Sequence, residues 1–137
     1  MTVTDNLGCE VIETFTISEP AALDLSIMGT NPLCNGDENG SVNLTVSGGT
    51  APYLYNWSNG ESTEDLDLLG AGTYTVTVTD DNGCVATISQ VLTEPDPLQV
   101  SVSKVDVQCF GASTGSIDLT VTGGTSGYTY AWNDGAA

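Results

Sequence analysis

The chain has 137 residues, 18 of them acidic, against a single lysine (Lys104), no arginine and no histidine, for a formal charge of −17. Such a surface repels nucleic-acid phosphates and an anionic membrane face, since both are bound through Lys and Arg. It also lacks an imidazole base and the cations that stabilise an oxyanion or phosphoryl group, so the expectation is that the protein is no enzyme. An acidic pair of the glycosidase kind would still be open to it, but no two carboxylates stand apart from turns and solvated strand faces.

Residues 1–20 open MTVTDNLGC, without the basic and apolar regions of a leader, so any export signal is expected outside the chain. No run of 18 apolar residues follows, and nothing is expected to enter a membrane. Hydrophobic residues make up 39% of the chain and alternate with Thr, Ser and Asn, which predicts folded strands and argues against disorder. LDLSI (23–27) is the first strand after Glu19-Pro20. The loop behind it holds Cys34, then Asn35, Asp37, Asn39 and Gly40 at the spacing that opens an EF-hand loop. Calcium bound through Asp37 and Asn39 is therefore a candidate reading, although Val46 stands where that loop needs a bidentate Glu. A plain turn satisfies the same residues.

SVNLTVS (41–47) and YLYNWS (53–58) are the next strands, separated by Gly48-Gly49-Thr50. Side chains at i, i+2 and i+4 share a face, so Tyr53, Tyr55 and Trp57 are expected in a core, with Leu54 and Asn56 outside. Asn43-Leu-Thr45 and Asn56-Trp-Ser58 are glycosylation sequons, which unmodified outward polar residues explain better, since the counterpart triplets begin with Asp118 and Ala131. A strand over Glu64–Leu69 precedes TYTVTVTD (73–80), headed by Tyr74 in the place of a tyrosine corner. Asp80-Asp81-Asn82 is a hairpin turn, and Asp80 and Asp81 are a second candidate calcium position at a domain junction. CVATISQVL (84–92) is the last strand before Glu94-Pro95.

The phrases then recur at a fixed shift of 75 residues. Cys9 maps onto Cys84, Cys34 onto Cys109, Trp57 onto Trp132, and Tyr53 and Tyr55 onto Tyr128 and Tyr130. Residues 1–62 align with 76–137 without a gap, and 24 of the 62 positions are identical, which establishes duplication. Glu-Pro marks the unit ends, so 21–95 reads as one complete repeat, 1–20 as the last strands of a preceding one, and 96–137 as the first strands of a following one. Six or seven short antiparallel strands in such a unit predict an all-β fold of tandem immunoglobulin-like sandwiches.

The pattern Cys34-x-Gly36 … Asn39-Gly40-Ser41 … Gly48-Gly49-Thr50 … Tyr53-x-Tyr55-x-Trp57-x-x-Gly60, repeated from Cys109 to Gly135, resembles the SprB-type repeat of Bacteroidetes surface adhesins. Gly72-Thr73-Tyr74 through Asp80, with Gly83-Cys84, resembles the same long surface proteins. The resemblance implies an extracellular tandem-repeat protein of the filament or adhesin kind. Its partners would be neighbouring repeats or copies of itself, with surface glycans as the alternative, and its motif contains no catalytic residue.

Four cysteines in an acidic, Thr-rich β chain suit an oxidising setting. Cys34–Cys84 within one unit is the simplest bridge, yet a sandwich of this kind sets the two at opposite ends. A bond from one unit's first loop to a neighbour's last hairpin, involving Cys9 or Cys109, is the second arrangement, and free thiols are the third.

Overall fold

The computed structural model describes residues 1–133, and its regular structure there is entirely β. Strands β1 (Thr2–Thr4) and β2 (Glu10–Ile12) form a two-stranded antiparallel hairpin. Next come β3 (Asp24–Thr30), β4 (Gly40–Ser47), β5 (Leu54–Trp57), β6 (Leu66–Leu69), β7 (Gly72–Thr79) and β8 (Val85–Leu92). They build two antiparallel sheets ordered β3-β4-β6 and β5-β7-β8. The chain changes sheet after β4, after β5 and after β6, so distant strands become neighbours.

Alternation within each strand decides what the two sheets bury against each other. Val42, Leu44, Leu66 and Leu69 of the first sheet meet Trp57, Val76, Val78 and Leu92 of the second, all buried. The intervening Thr73, Asn43 and Leu54 face solvent. Leu92 closes one end of this core by lying over a strand that has no side chain there: a Cβ on Gly29 would come within 2.6 Å of Leu92 Cδ2.

Two predicted strands differ from the observed ones by more than one residue at an end. The first runs on to Thr30, because Met28, Gly29 and Thr30 continue the ladder with Asn43, Val42 and Ser41. The strand expected over 64–69 begins at Leu66, because Asp65 caps the neighbouring strand with its side chain. Its Oδ1 accepts from Leu44 N (2.9 Å) and its Oδ2 from Asn43 Nδ2 (3.2 Å). The pairing of β4 with β6 also shifts register between Gly40 and Val42.

Beyond the sandwich, β9 (Gln99–Val105) and β10 (Ser116–Thr122) pair in the register of β3 and β4 moved by 75 residues. Leu25↔Val46 thus becomes Val100↔Val121.

Candidate functional site

The sandwich has two contrasting ends, and the residues singled out from sequence divide between them. At one end the Gly48–Thr50 turn supports the hairpin between β7 and β8. Gly48 and Gly49 have φ of +69° and +61°, a region that costs other residues about 1–2 kcal/mol. A Cβ on Gly48 would run into the Ala22 carbonyl, so chain entry and turn touch through bare backbone. Tyr53 fastens the turn by donating from its hydroxyl to the Gly48 carbonyl (2.6 Å).

Asp80 organises this end. It is the one buried carboxylate among the described residues, at 4% exposure. Its Oδ1 accepts from Asn82 N (3.0 Å) and Cys84 N (2.7 Å), shaping the hairpin. Its Oδ2 accepts from Thr50 N (2.9 Å), docking the hairpin on the other sheet's turn. Burial pushes the carboxyl up, but the N–H donors of Cys84, Thr50 and Asn82 outweigh it and hold the group below the ordinary carboxylate value. Asp81 adds a backbone bond to the Thr50 carbonyl (2.9 Å).

The other end carries the Cys34 loop and the Thr93-Glu94-Pro95 segment that follows β8. Asn31 and Thr93 exchange bonds: the Asn31 amide donates to Thr93 Oγ1 (3.0 Å) and Thr93 N donates to Asn31 Oδ1 (3.0 Å). Glu94 accepts from Asn35 Nδ2 (2.6 Å) through one oxygen and from Gly36 N (2.8 Å) through the other, and Asn35 also reaches the Pro95 carbonyl (3.2 Å). The Glu-Pro pair was legible in the sequence only as punctuation. In the structure it is tied down to the sandwich.

The candidate calcium residues do not meet. Asp37 and Asn39 lie in the Cys34 loop and bond each other (3.2 Å), and Asn39 Oδ1 accepts from Leu33 N. Asp80 and Asp81 belong to the opposite end. Among the described residues no group of three or more His, Cys, Asp or Glu is placed to hold a metal ion.

The cysteines are likewise divided. All four are exposed free thiols. Cys34 lies beside Asn35, which bonds Glu94 just past β8, whereas Cys84 precedes β8. The eight residues of β8 separate the two ends by about 25 Å, against about 7 Å between Cα atoms in a disulfide. The within-unit Cys34–Cys84 bridge is therefore not formed.

The aromatic strand lies as its alternation requires. Trp57 is buried and donates from Nε1 to the Thr63 carbonyl (2.8 Å), and Tyr53 and Tyr55 are half-buried beside it. Burial pushes the Tyr55 phenol up, with Glu64 adding to the effect. Tyr74 donates to the Gly70 carbonyl (3.1 Å), the bond of a tyrosine corner. Tyr128 is half-buried, while Tyr130 and Trp132 are 47% and 38% exposed, unlike their counterparts. Both sequon asparagines, Asn43 and Asn56, are on the surface.

The family model of the SprB repeat matches residues 29–62 and again residues 101–137, together just over half of the chain. The chain belongs to the SprB repeat family. Both matches take in a Cys loop, the strand after it, the Gly-Gly-Thr turn and the aromatic phrase. SprB repeats are structural repeats associated with cell-surface proteins, and the family is not one of enzymes. No curated protein and no solved structure matches the chain. Among the described residues no helix is long and apolar enough to cross a membrane.

Proposed function

We propose that this chain is a structural stretch of an extracellular bacterial surface filament or adhesin stalk, in which SprB sandwiches stack head to tail and supply mechanical reach. The observation that carries this reading is the clamped linker. Asn31, Asn35 and Gly36 hold Thr93 and Glu94 through four hydrogen bonds, so the segment leading to the next repeat leaves the sandwich in a set direction. A stalk needs such joints, whereas beads on a Gly/Ser string would swing. The strand division, with first, second and fourth in one sheet and third, fifth and sixth in the other, supports an immunoglobulin-like unit spanning 21–95.

An adhesive role is the second reading. The outer face of β7 and β8 presents a band of hydroxyls in which Thr75 meets Ser89 (2.8 Å) and Thr77 meets Thr87 (3.3 Å), a polar surface open to glycans. An antibody against residues 21–95 should label intact producing cells along extended structures. Labelling only after lysis would overturn the surface filament. Glycan binding by residues 21–95, lost when Thr75 and Thr77 are replaced by Val, would favour the adhesive reading.

A further inference from the structure

Four Asn-Gly pairs occur in the chain, Asn35-Gly36, Asn39-Gly40, Asn59-Gly60 and Asn82-Gly83. An asparagine before glycine has a reaction partner in its own backbone. The glycine nitrogen, with no side chain crowding it, can attack the asparagine Cγ and expel the amide nitrogen as ammonia. The dipeptide is the same at all four places, so the fold decides which of them react.

Three of the pairs are held by side-chain bonds that the attack would have to break. Asn35 Nδ2 donates to Glu94 Oε1 (2.6 Å) and to the Pro95 carbonyl (3.2 Å), while Gly36 N donates to Glu94 Oε2 (2.8 Å). Asn39 is bound at both ends of its amide, accepting from Leu33 N (3.0 Å) and donating to Asp37 Oδ2 (3.2 Å). Its glycine is also packed, since a Cβ on Gly40 would come within 2.8 Å of the Leu69 carbonyl oxygen. Asn82 Nδ2 donates to Thr50 Oγ1 (2.8 Å), from the hairpin of one sheet to the turn of the other. In each case, turning Cγ onto the glycine nitrogen gives up a tie that fastens a loop.

Asn59 differs from all three. It is exposed in the turn that follows β5, and Gly60 has a φ of +90° with open space around it. Among the described residues no hydrogen bond holds the Asn59 amide nitrogen, while its Oδ1 accepts from Glu61 N (3.2 Å). That bond assists the attack. It folds the side chain back along its own backbone, toward the nitrogen that reacts. When Gly60 N adds to Cγ, negative charge develops on Oδ1, where the Glu61 N–H already points, as a backbone donor does in an oxyanion hole. Gly60 N itself donates to the Trp57 carbonyl (3.0 Å), but Gly83 N donates equally to the Asp80 carbonyl (3.0 Å), so the nucleophile does not distinguish the sites. The side-chain amide does. Asn59 also lines an open cleft of about 510 Å³ with Glu61, Thr63 and Asp65, through which water enters and ammonia leaves.

We propose that Asn59 is a self-modification site, which in the folded protein converts to aspartate and isoaspartate ahead of the other three pairs. A bond forms between Gly60 N and Asn59 Cγ, the Cγ–Nδ2 bond breaks, and ammonia leaves with the proton from Gly60 N. The product is a cyclic imide. Water opens it at either carbonyl, giving aspartate by one route and isoaspartate by the other, with no oxidant or cofactor. Each event adds one carboxylate to a chain of charge −17. The second repeat already carries an acid there, since Asp134-Gly135 stands 75 residues on from Asn59-Gly60. Isoaspartate also adds a methylene to the main chain inside the turn that Trp57 N closes on the Glu61 carbonyl (3.1 Å). The converted fraction is therefore a clock that records how long a molecule has been folded.

The test incubates the full folded chain in mildly alkaline buffer made with heavy-oxygen water, which marks only sites that react during the incubation. Peptide mapping by mass spectrometry reads each Asn-Gly pair, and isoaspartyl methyltransferase counts the isoaspartate. Conversion at Asn59 should be about tenfold or more faster than at Asn35, Asn39 or Asn82, the factor that one or two intact hydrogen bonds impose. In urea the four rates should converge. Glu94→Ala frees the Asn35 amide and Gly36 N together, so it should raise conversion at Asn35 about tenfold and leave Asn59 unchanged. Thr50→Val should raise conversion at Asn82 in the same way. Equal rates at the four sites of the folded chain would overturn the proposal, as would a site faster than Asn59, or an Asn59 that stays intact when folded and converts only in urea. Indifference of Asn35 to Glu94→Ala together with indifference of Asn82 to Thr50→Val would overturn selection by hydrogen bonding.

Discussion

Trp57 and Trp132 occupy equivalent positions of the two repeats, and replacing each by alanine should give very different results. Trp57 is 3% exposed and bonds the Thr63 carbonyl at 2.8 Å. Truncating a core tryptophan costs about 3–5 kcal/mol, and the lost hydrogen bond adds about 1 kcal/mol. Small domains hold a total near the lower end of 5–15 kcal/mol, so Trp57→Ala leaves the sandwich barely folded at room temperature. At about 4–8 °C per kcal/mol, the melting temperature should fall by at least roughly 12 °C. Trp132, at 38% exposure, lines an open cleft with Lys104 and Val105 of β9 and Ser116 and Ile117 of β10, so Trp132→Ala in the dilute, reduced chain should cost less than about 1 kcal/mol. Far-UV circular dichroism during heating and in urea reads both, since it does not depend on the indole that is removed. Equal losses from the two variants, or a loss below about 1 kcal/mol for Trp57→Ala, would refute the claim that the sandwich of β3 to β8 is the stable body and that Trp132 contributes little to it.

Two further outcomes follow from the hairpin end. Gly48→Ala should cost about 1–2 kcal/mol for its left-handed backbone and a further 1–3 kcal/mol or so for the overlap with the Ala22 carbonyl. Gly60→Ala has a positive φ but open space, so urea titration should show only the first part. Acid should loosen the docked hairpin. The Asp80 pKa is lowered by folding, so the stability it contributes is present above the unfolded value of 3.8 and lost as pH falls below it through the folded value. Amide exchange at Thr50 and Cys84 should accelerate in that window, and Asp80→Asn should abolish the acid dependence. An unchanged dependence would show that other carboxylates control it.

The β fold and the shared inward face of Tyr53, Tyr55 and Trp57 were legible because alternation is a local signal, whereas Tyr130 and Trp132, expected in a core by the same alternation, are exposed. Tyr53, Tyr55 and Trp57 share a face whatever surrounds them, and strand β7 is Thr on one face and Tyr or Val on the other. The 75-residue shift was legible for the same reason, since inward positions such as Leu44, Val46 and Trp57 recur unchanged. The Asp80 carboxylate looked like an ordinary turn residue or a cation ligand, because nothing local says that Thr50 N will stand beside it. Glu94 looked like a boundary marker for a similar reason: its partners, Asn35 and Gly36, lie 59 and 58 residues earlier.

Which face of a strand a residue takes, and which segments repeat, were determined by the sequence alone, since both depend on a two-residue period and on identity between positions. Which ends of the strands meet was decided only by the tertiary structure. The chain crosses between sheets three times after β4, placing Cys34 beside Asp96 and Pro97 and Cys84 at the far end of β8. Proximity of that kind comes from strand pairings fixed by burial of the whole core, and no local run of residues encodes it.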